Sequence, residues 1–279
     1  MGFVFFSMFA GCSIDASKAH IESLVVETPM APEVRGASRY QTPNTYQVRG
    51  FVQMGMGKTQ NEKLHGIKNP IEDCKIGVCE IPENLKEYEK VDASYKIIFS
   101  NLMASLDWIE KKDLLLWGVG TALDRGLYVN AFVGINTRHF EVGAFTGVWF
   151  YANRLEYGGH ELICQRNYWE GEYGLTTARV SEKENGLYDA MTYGGFASIY
   201  YGRFSLGYSV NVYKHSVDQL FDEKDVVANF ELPWIVTEYI TAGVFITPKV
   251  EMRVGAVNVF GEFDGWHWGG TSGISYYFY

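Results

Sequence analysis

The residues with the most chemical potential fall in two stretches. His215 is followed by Asp218 and Asp222, and His267 comes three positions after Asp264. A carboxylate hydrogen-bonded to an imidazole orients the ring for general-base work, so the two stretches, brought together, have the composition of an acid/His site. Solvated polar connections carry the same residue types, and the other histidines, at 20, 65, 139 and 160, are scattered. No GxSxG, HExxH or Walker pattern occurs, so no nucleophile, metal or nucleotide site is marked. The sequence weighs against an enzyme, and neither a cofactor nor a metal is expected.

Other groups invite a binding or structural role. Trp266-His267-Trp268, flanked by Gly265 and Gly269, sets two indoles close together. Exposed, they would stack on a sugar ring or anchor a surface partner; otherwise they belong to an aromatic girdle. Asp222-Glu-Lys-Asp225 and Glu182-Lys-Glu-Asn185 have the charge to hold Ca²⁺ loosely, and read equally as solvated loops. Cys74 and Cys79 (CKIGVC) are close enough to close a small disulfide loop in an oxidising compartment. A metal reading would need a second ligand pair, and free thiols are the alternative.

The chain that must position these residues has 279 residues, 16% of them aromatic, with 30 Gly and 7 Pro. That composition excludes disorder. A net charge of −9 gives a nucleic-acid partner no support. No apolar run is long enough for a transmembrane helix. From Tyr46 onward the periodicity is two, the signature of strands. Leu127, Val129, Ala131, Val133 and Ile135 alternate with Tyr128, Asn130, Phe132, Gly134 and Asn136; Phe204 to Val212 repeats the pattern against Ser205, Gly207, Ser209 and Asn211.

Ten such runs are predicted, at 45–57, 93–107, 113–122, 126–136, 139–151, 191–201, 203–213, 226–246, 249–260 and 270–279. Most are longer than the 5 to 6 residues usual in soluble proteins and match the 9 to 11 or so that a tilted strand needs to cross a bilayer. Every even-numbered connection is short, and the extended ones, at 58–92, 152–190, 214–225 and 261–269, are all odd-numbered. Parity of this kind puts tight turns on one side of a sheet and large loops on the other, and places both ends of the 45–279 body on the tight side.

The chain closes with Gly273-Ile-Ser-Tyr-Tyr-Phe-Tyr279, which resembles the C-terminal assembly signal of bacterial outer-membrane β-barrels, displaced by one position. With the loop parity, the resemblance covers about 45–279. It implies an all-β, antiparallel up-and-down transmembrane barrel of about ten strands in the bacterial outer membrane. The expected partners are the lipid bilayer and the outer-membrane assembly machinery, with any surface ligand unspecified. At the other end, MGFVFFSMFAGC resembles a lipoprotein signal, with Phe9 where Leu is usual, and implies lipidation at Cys12. Residues 1–12 are therefore expected as a signal segment and 13–44 as a flexible, irregular tether.

In such a barrel the inward set includes Arg49, Glu141, Arg203, Glu251 and Arg253, a mutually neutralising lumen network, with Phe132 and Trp149. Tyr46, Phe140, Phe150, Tyr151, Tyr201, Phe204, Tyr276 and Phe278 are expected in the interfacial girdles. The leading functional expectation is a non-enzymatic barrel with a structural, adhesive or surface-interaction role in its long loops. A narrow pore or transporter for small solutes, an outer-membrane hydrolase and a soluble exported β protein are the alternatives. Paired inward charges close a lumen, whereas a ring of one sign lines a path.

Overall fold

A computed structural model of the chain describes residues 14–64, 92–99, 102–166, 173–214, 232–262 and 265–278. All regular structure among them is β. In chain order the strands are β1 (Ile14–Pro29), β2 (Thr45–Met56), β3 (Gln60–Lys63), β4 (Asp92–Ile98), β5 (Leu102–Lys112), β6 (Leu115–Leu123) and β7 (Gly126–Asn136). Then follow β8 (Phe140–Arg166), β9 (Tyr173–Tyr201), β10 (Phe204–Tyr213), β11 (Ile235–Thr247), β12 (Val250–Gly261) and β13 (His267–Phe278).

Ten of these, β2 and β5 to β13, form a closed antiparallel barrel. Closure comes from β2 against β13 and β8 against β9, so no barrel strand is left with an unpaired edge in the bilayer. Tight connections at 113–114, 137–139, 202–203 and 248–249 share one rim. Asp113 and Gly202 take left-handed backbone there, with φ of 55° and 58°. At Gly202 the absence of a side chain makes this inexpensive. The opposite rim carries the long connections together with one tight turn, at 124–125.

The barrel is polar inside and apolar outside. Leu127, Val129, Val133 and Ile135 of β7 are 40–51% exposed, while Tyr128, Asn130, Phe132 and Asn136 between them are buried. Leu206, Met252, Val254, Ile240 and Ile274 continue the outward belt on other strands. A soluble sandwich would turn those faces toward each other; here they cover the outside. Among the girdle residues, Tyr46, Phe140, Phe150, Tyr201, Phe204, Tyr276 and Phe278 are outward. Tyr151 is not: alternation after Phe150 turns it inward, fully buried, with its ring 4.7 Å from that of Trp149.

Three strand expectations are corrected. The run 93–107 is two strands, β4 and β5, and only β5 belongs to the barrel. The run 226–246 becomes β11 from residue 235 onward. The long loop expected at 152–190 is largely strand: β8 and β9 continue past the rim and stay paired from Ala152↔Leu187 to Arg166↔Tyr173. β1 adds to the free edge of this extension, antiparallel to β8, and β4 adds parallel to β1, followed by β3.

The segment expected as a flexible tether is instead packed. After β1, residues 30–44 form no strand, and 30–38 are all buried. They pass down the inside of the barrel from the long-loop rim to the short-turn rim, where β2 begins. Inward side chains of the wall bond to the Ala31, Pro32, Arg35, Gly36 and Ala37 carbonyls and to the Gly36 and Ser38 amides, taking the place that a sheet partner would fill.

Candidate functional site

The contacts of the lumen segment follow its sequence downward. At the long-loop end, Tyr213 donates to the Pro29 carbonyl at 2.9 Å, Tyr239 to Ala31 at 2.8 Å and Asn211 to Pro32 at 2.8 Å. Trp149, Tyr151, Tyr213, Ile235 and Val257 pack in the same apolar cluster as Met30 and Val34. Above them Tyr95 of β4 is buried and donates to the Pro233 carbonyl at 3.2 Å; burial pushes its pKa up, which keeps the phenol neutral.

Midway down, the segment meets a charge cluster. Glu33 Oε1 lies 3.2 Å from Arg253 Nη1 and 3.8 Å from Arg35 Nε. Glu251 completes the group, 3.8 Å from Arg35 Nη1 and 3.9 Å from Arg253 Nε. Two acids and two arginines thus alternate, one of each sign from the segment and one of each from β12. Ser205 and Tyr277 donate to the two oxygens of Glu251 at 2.6 and 2.7 Å. Arg253 also lies over the Phe51 ring, 4.2 Å from its centre.

Beside this group, Arg49 of β2 donates to Asp107 of β5 through Nε at 2.9 Å and Nη2 at 2.7 Å. The same guanidinium donates to the backbone carbonyls of Gly36 and Arg35, at 3.1 and 3.0 Å. Glu141 accepts from the Gly36 amide at 3.1 Å and from Asn136 at 2.8 Å. At the short-turn end Tyr200 donates to the Ala37 carbonyl, Gln47 accepts from Ser38, and Arg39 donates to the Gly202 carbonyl. Tyr40 closes the rim edge-on to Phe245, beside Tyr200 and Tyr277.

Among the described residues, the buried ionisable acids and bases of the lumen are Glu33, Asp107, Glu141 and Glu251 against Arg35, Arg49, Lys111 and Arg253. Four of each sign leave the interior neutral. Buried charges so paired resist separation, because removing one strands its partner in a low-dielectric site.

Of the residues expected to line the lumen, Arg49, Glu141, Glu251 and Arg253 all meet the lumen segment or its partners. Arg203 does not join them: β10 starts at Phe204, and Arg203 is exposed in the Gly202–Arg203 turn. Glu33, Arg35, Asp107 and Lys111 are the buried lumen charges that sequence reasoning missed. Asp107 had a signal, since Leu106 and Trp108 on either side have outward parity.

On the long-loop rim Trp266 and Trp268 are 69% and 50% exposed, and Trp266 stacks on Phe260 with ring centres 5.9 Å apart. His267 between them points the other way and is buried, with Nε2 3.1 Å from Glu62 Oε1 and Nδ1 against Gln60 Oε1. It ties β3 to the top of β13 and does not stand with the indoles. Cys12, Cys74, Cys79, His215, Asp218, Asp222 and Asp264 lie outside the described residues. Among the described residues no group of His, Cys, Asp and Glu has metal-binding geometry.

A closed antiparallel barrel with an apolar exterior and a polar interior defines the class: this is a transmembrane β-barrel of the bacterial outer-membrane type, and its belt faces lipid. No protein-family model matches the chain, and no curated protein is similar to it in sequence. Among solved structures it is similar to the outer-membrane protease OmpT from Escherichia coli, at 11% identity and a TM-score of 0.39, over 86% of this chain and 100% of that one. A deltaS2 mutant of the TodX monoaromatic hydrocarbon channel aligns at 9% identity and 0.30, over 85% and 90%. A porin aligns at 9% and 0.22, over 84% and 100%. The likeness is one of broad architecture, and the class rests on the barrel's own inside-out polarity.

Proposed function

We propose that the protein is a closed, non-enzymatic outer-membrane barrel whose role is structural or adhesive and is carried by the long-loop face. The observation that supports this reading is the occupied lumen. A segment of the same chain runs through it from rim to rim, and the described lumen charges balance at four of each sign where a conducting path would carry one dominant sign. The sheet of β3, β4, β1 and the extended β8–β9 hairpin is the surface such a role would use, with Trp266 and Trp268 beside it for stacking on a sugar or a partner. The test is planar-bilayer recording with the purified full chain. No conductance steps are expected; reproducible small steps would overturn the reading in favour of a narrow pore.

Lipidation of Cys12, a Cys74–Cys79 disulfide and insertion by the outer-membrane assembly machinery belong to the same proposal. The lipoprotein-like and barrel-like terminal sequences support them. Metabolic labelling with an alkyne fatty acid, compared with Cys12→Ala, tests the first: label on the parent and none on the variant is expected, and equal label on both overturns it.

A further inference from the structure

We infer that the lumen segment is a central membrane crossing that carries the N-terminal part of the chain to the cell-surface side, opposite the rim where β2 begins and β13 ends. The inference rests on the outer-membrane reading above and concerns the path of the chain through it. Three observations carry it.

The two ends of the segment are fixed at opposite rims. Thr45 pairs with Lys111, next to the tight Asp113–Leu114 turn, whereas Pro29 lies beside Tyr213, at the other end of β10 from the Gly202–Arg203 turn. Between them the wall contacts descend in sequence order, from Ala31 on Tyr239 through Gly36 on Glu141 to Arg39 on Gly202.

Chemistry permits no other route. The segment's backbone amides and carbonyls, with Glu33 and Arg35, would be unpaired in hydrocarbon on the outside of the belt, at several kcal/mol for each group. Inside, Tyr239, Asn211, Arg49, Glu141 and Tyr200 bond to the backbone of Ala31, Pro32, Arg35, Gly36 and Ala37, and Arg253 and Glu251 meet Glu33 and Arg35.

Sidedness follows from the turns. Barrels of this class keep tight turns in the periplasm and long connections outside. The rim with turns at 113–114, 137–139, 202–203 and 248–249 is then periplasmic, and β1, with Ser23 exposed on it, stands outside on the β8 extension. The N-terminal region is thereby part of the displayed surface, and the barrel is its conduit.

The experiment places an epitope in the full chain at one of three positions: between Ser13 and Ile14, after Lys214, or between Pro248 and Lys249. Antibody binding to intact cells is compared with binding after the outer membrane is permeabilised, and each variant's fold is checked by the gel shift between unboiled and boiled samples. The first two epitopes are expected to bind on intact cells and the third only after permeabilisation. An N-terminal epitope that behaves like the one at Pro248 overturns the crossing. Absence of all three proteins from the outer-membrane fraction overturns the membrane reading instead, so the two failures are distinct. The unaltered chain gives a second measurement: a membrane-impermeant amine reagent on intact cells should modify Lys58 and Lys63 and spare Lys112 and Lys249, all four of them exposed. Lys112 and Lys249 modified on intact cells, with Lys58 and Lys63 spared, would reverse the sidedness and overturn the display of the N-terminal part.

Discussion

Glu33 of the lumen segment and Arg253 of β12 meet at 3.2 Å, 220 residues apart in sequence, with both side chains only 3% exposed. The contact ties an irregular stretch to the wall at a point where neither residue can reach bulk water. Arg35 and Glu251 repeat the pairing with donor and acceptor exchanged between segment and wall. A shift of the segment by one residue would move both charges off their partners, so the cluster sets its register.

The consequence for stability is direct. Arg253→Met leaves Glu33 and Glu251 short of a cation inside the barrel and removes the guanidinium over Phe51. Breaking a buried pair from one side costs about 3–5 kcal/mol. The temperature at which the compact unboiled gel band converts to the extended one should fall accordingly. Adding Glu33→Gln should recover part of the loss, because the stranded charge is then gone; equal or additive losses would show that the two do not interact.

Gly36 predicts a second effect. It sits where the segment comes closest to the wall, and a Cβ added there would lie 2.7 Å from a Glu141 carboxylate oxygen, with Leu116 closer still. Gly36→Val must therefore push the segment away from β6 and β8, at about 1–3 kcal/mol for overpacking. Limited proteolysis of the purified protein should then cut between residues 30 and 38, which are all buried in the parent. Unchanged protection would mean that the segment has room the packing does not suggest.

How much of this was legible in the sequence depends on what each residue faces. Strands such as β7 and β10 announced themselves because lipid on one side and a filled lumen on the other force strict alternation. Parity alone turned Arg49, Glu141, Glu251 and Arg253 inward. The same rule holds no information for Arg203, where the strand has already ended, and it merged β4 with β5 because no Gly or Pro separates Ile98 from Leu102. The β8–β9 extension was unreadable for a physical reason: above the membrane no lipid selects an apolar face, so Leu155 is the one apolar residue in Asn153-Arg154-Leu155-Glu156 and no run of alternation marks the strand. Glu33 and Arg35 were hidden because the burial of an irregular segment is dictated by the wall it touches, and one strand's sequence does not say what will thread past it.

His267 gives a local prediction. It is buried at the top of β13 and bears on Gln60 and Glu62 of the short strand β3, which among the described residues otherwise pairs only with β4. His267→Ala should loosen β3 from the barrel while leaving the lumen cluster intact. Hydrogen exchange should accelerate at the β3 amides and remain unchanged at Glu251 and Arg253. Acceleration spread evenly through β12 would indicate instead that His267 supports the barrel wall.

The apolar belt supplies the test of the membrane itself. Val129 and Val133 lie on the outward face of β7, 40% and 51% exposed, and are flanked inside by Asn130 and Phe132. If that face meets hydrocarbon, Val129→Arg or Val133→Arg places a cation against lipid, at about 2–4 kcal/mol near the bilayer midplane and less toward its edges. If it met water, the same substitutions would stay within about 0.5 kcal/mol, as is usual for exposed positions. Denaturant unfolding of protein reconstituted in phospholipid vesicles separates the two. Each arginine variant should lose stability by the larger amount, and Val129→Leu, which keeps the face apolar, should not. A tolerated arginine at both positions would place β7 in an aqueous surface and undo the membrane assignment of the barrel.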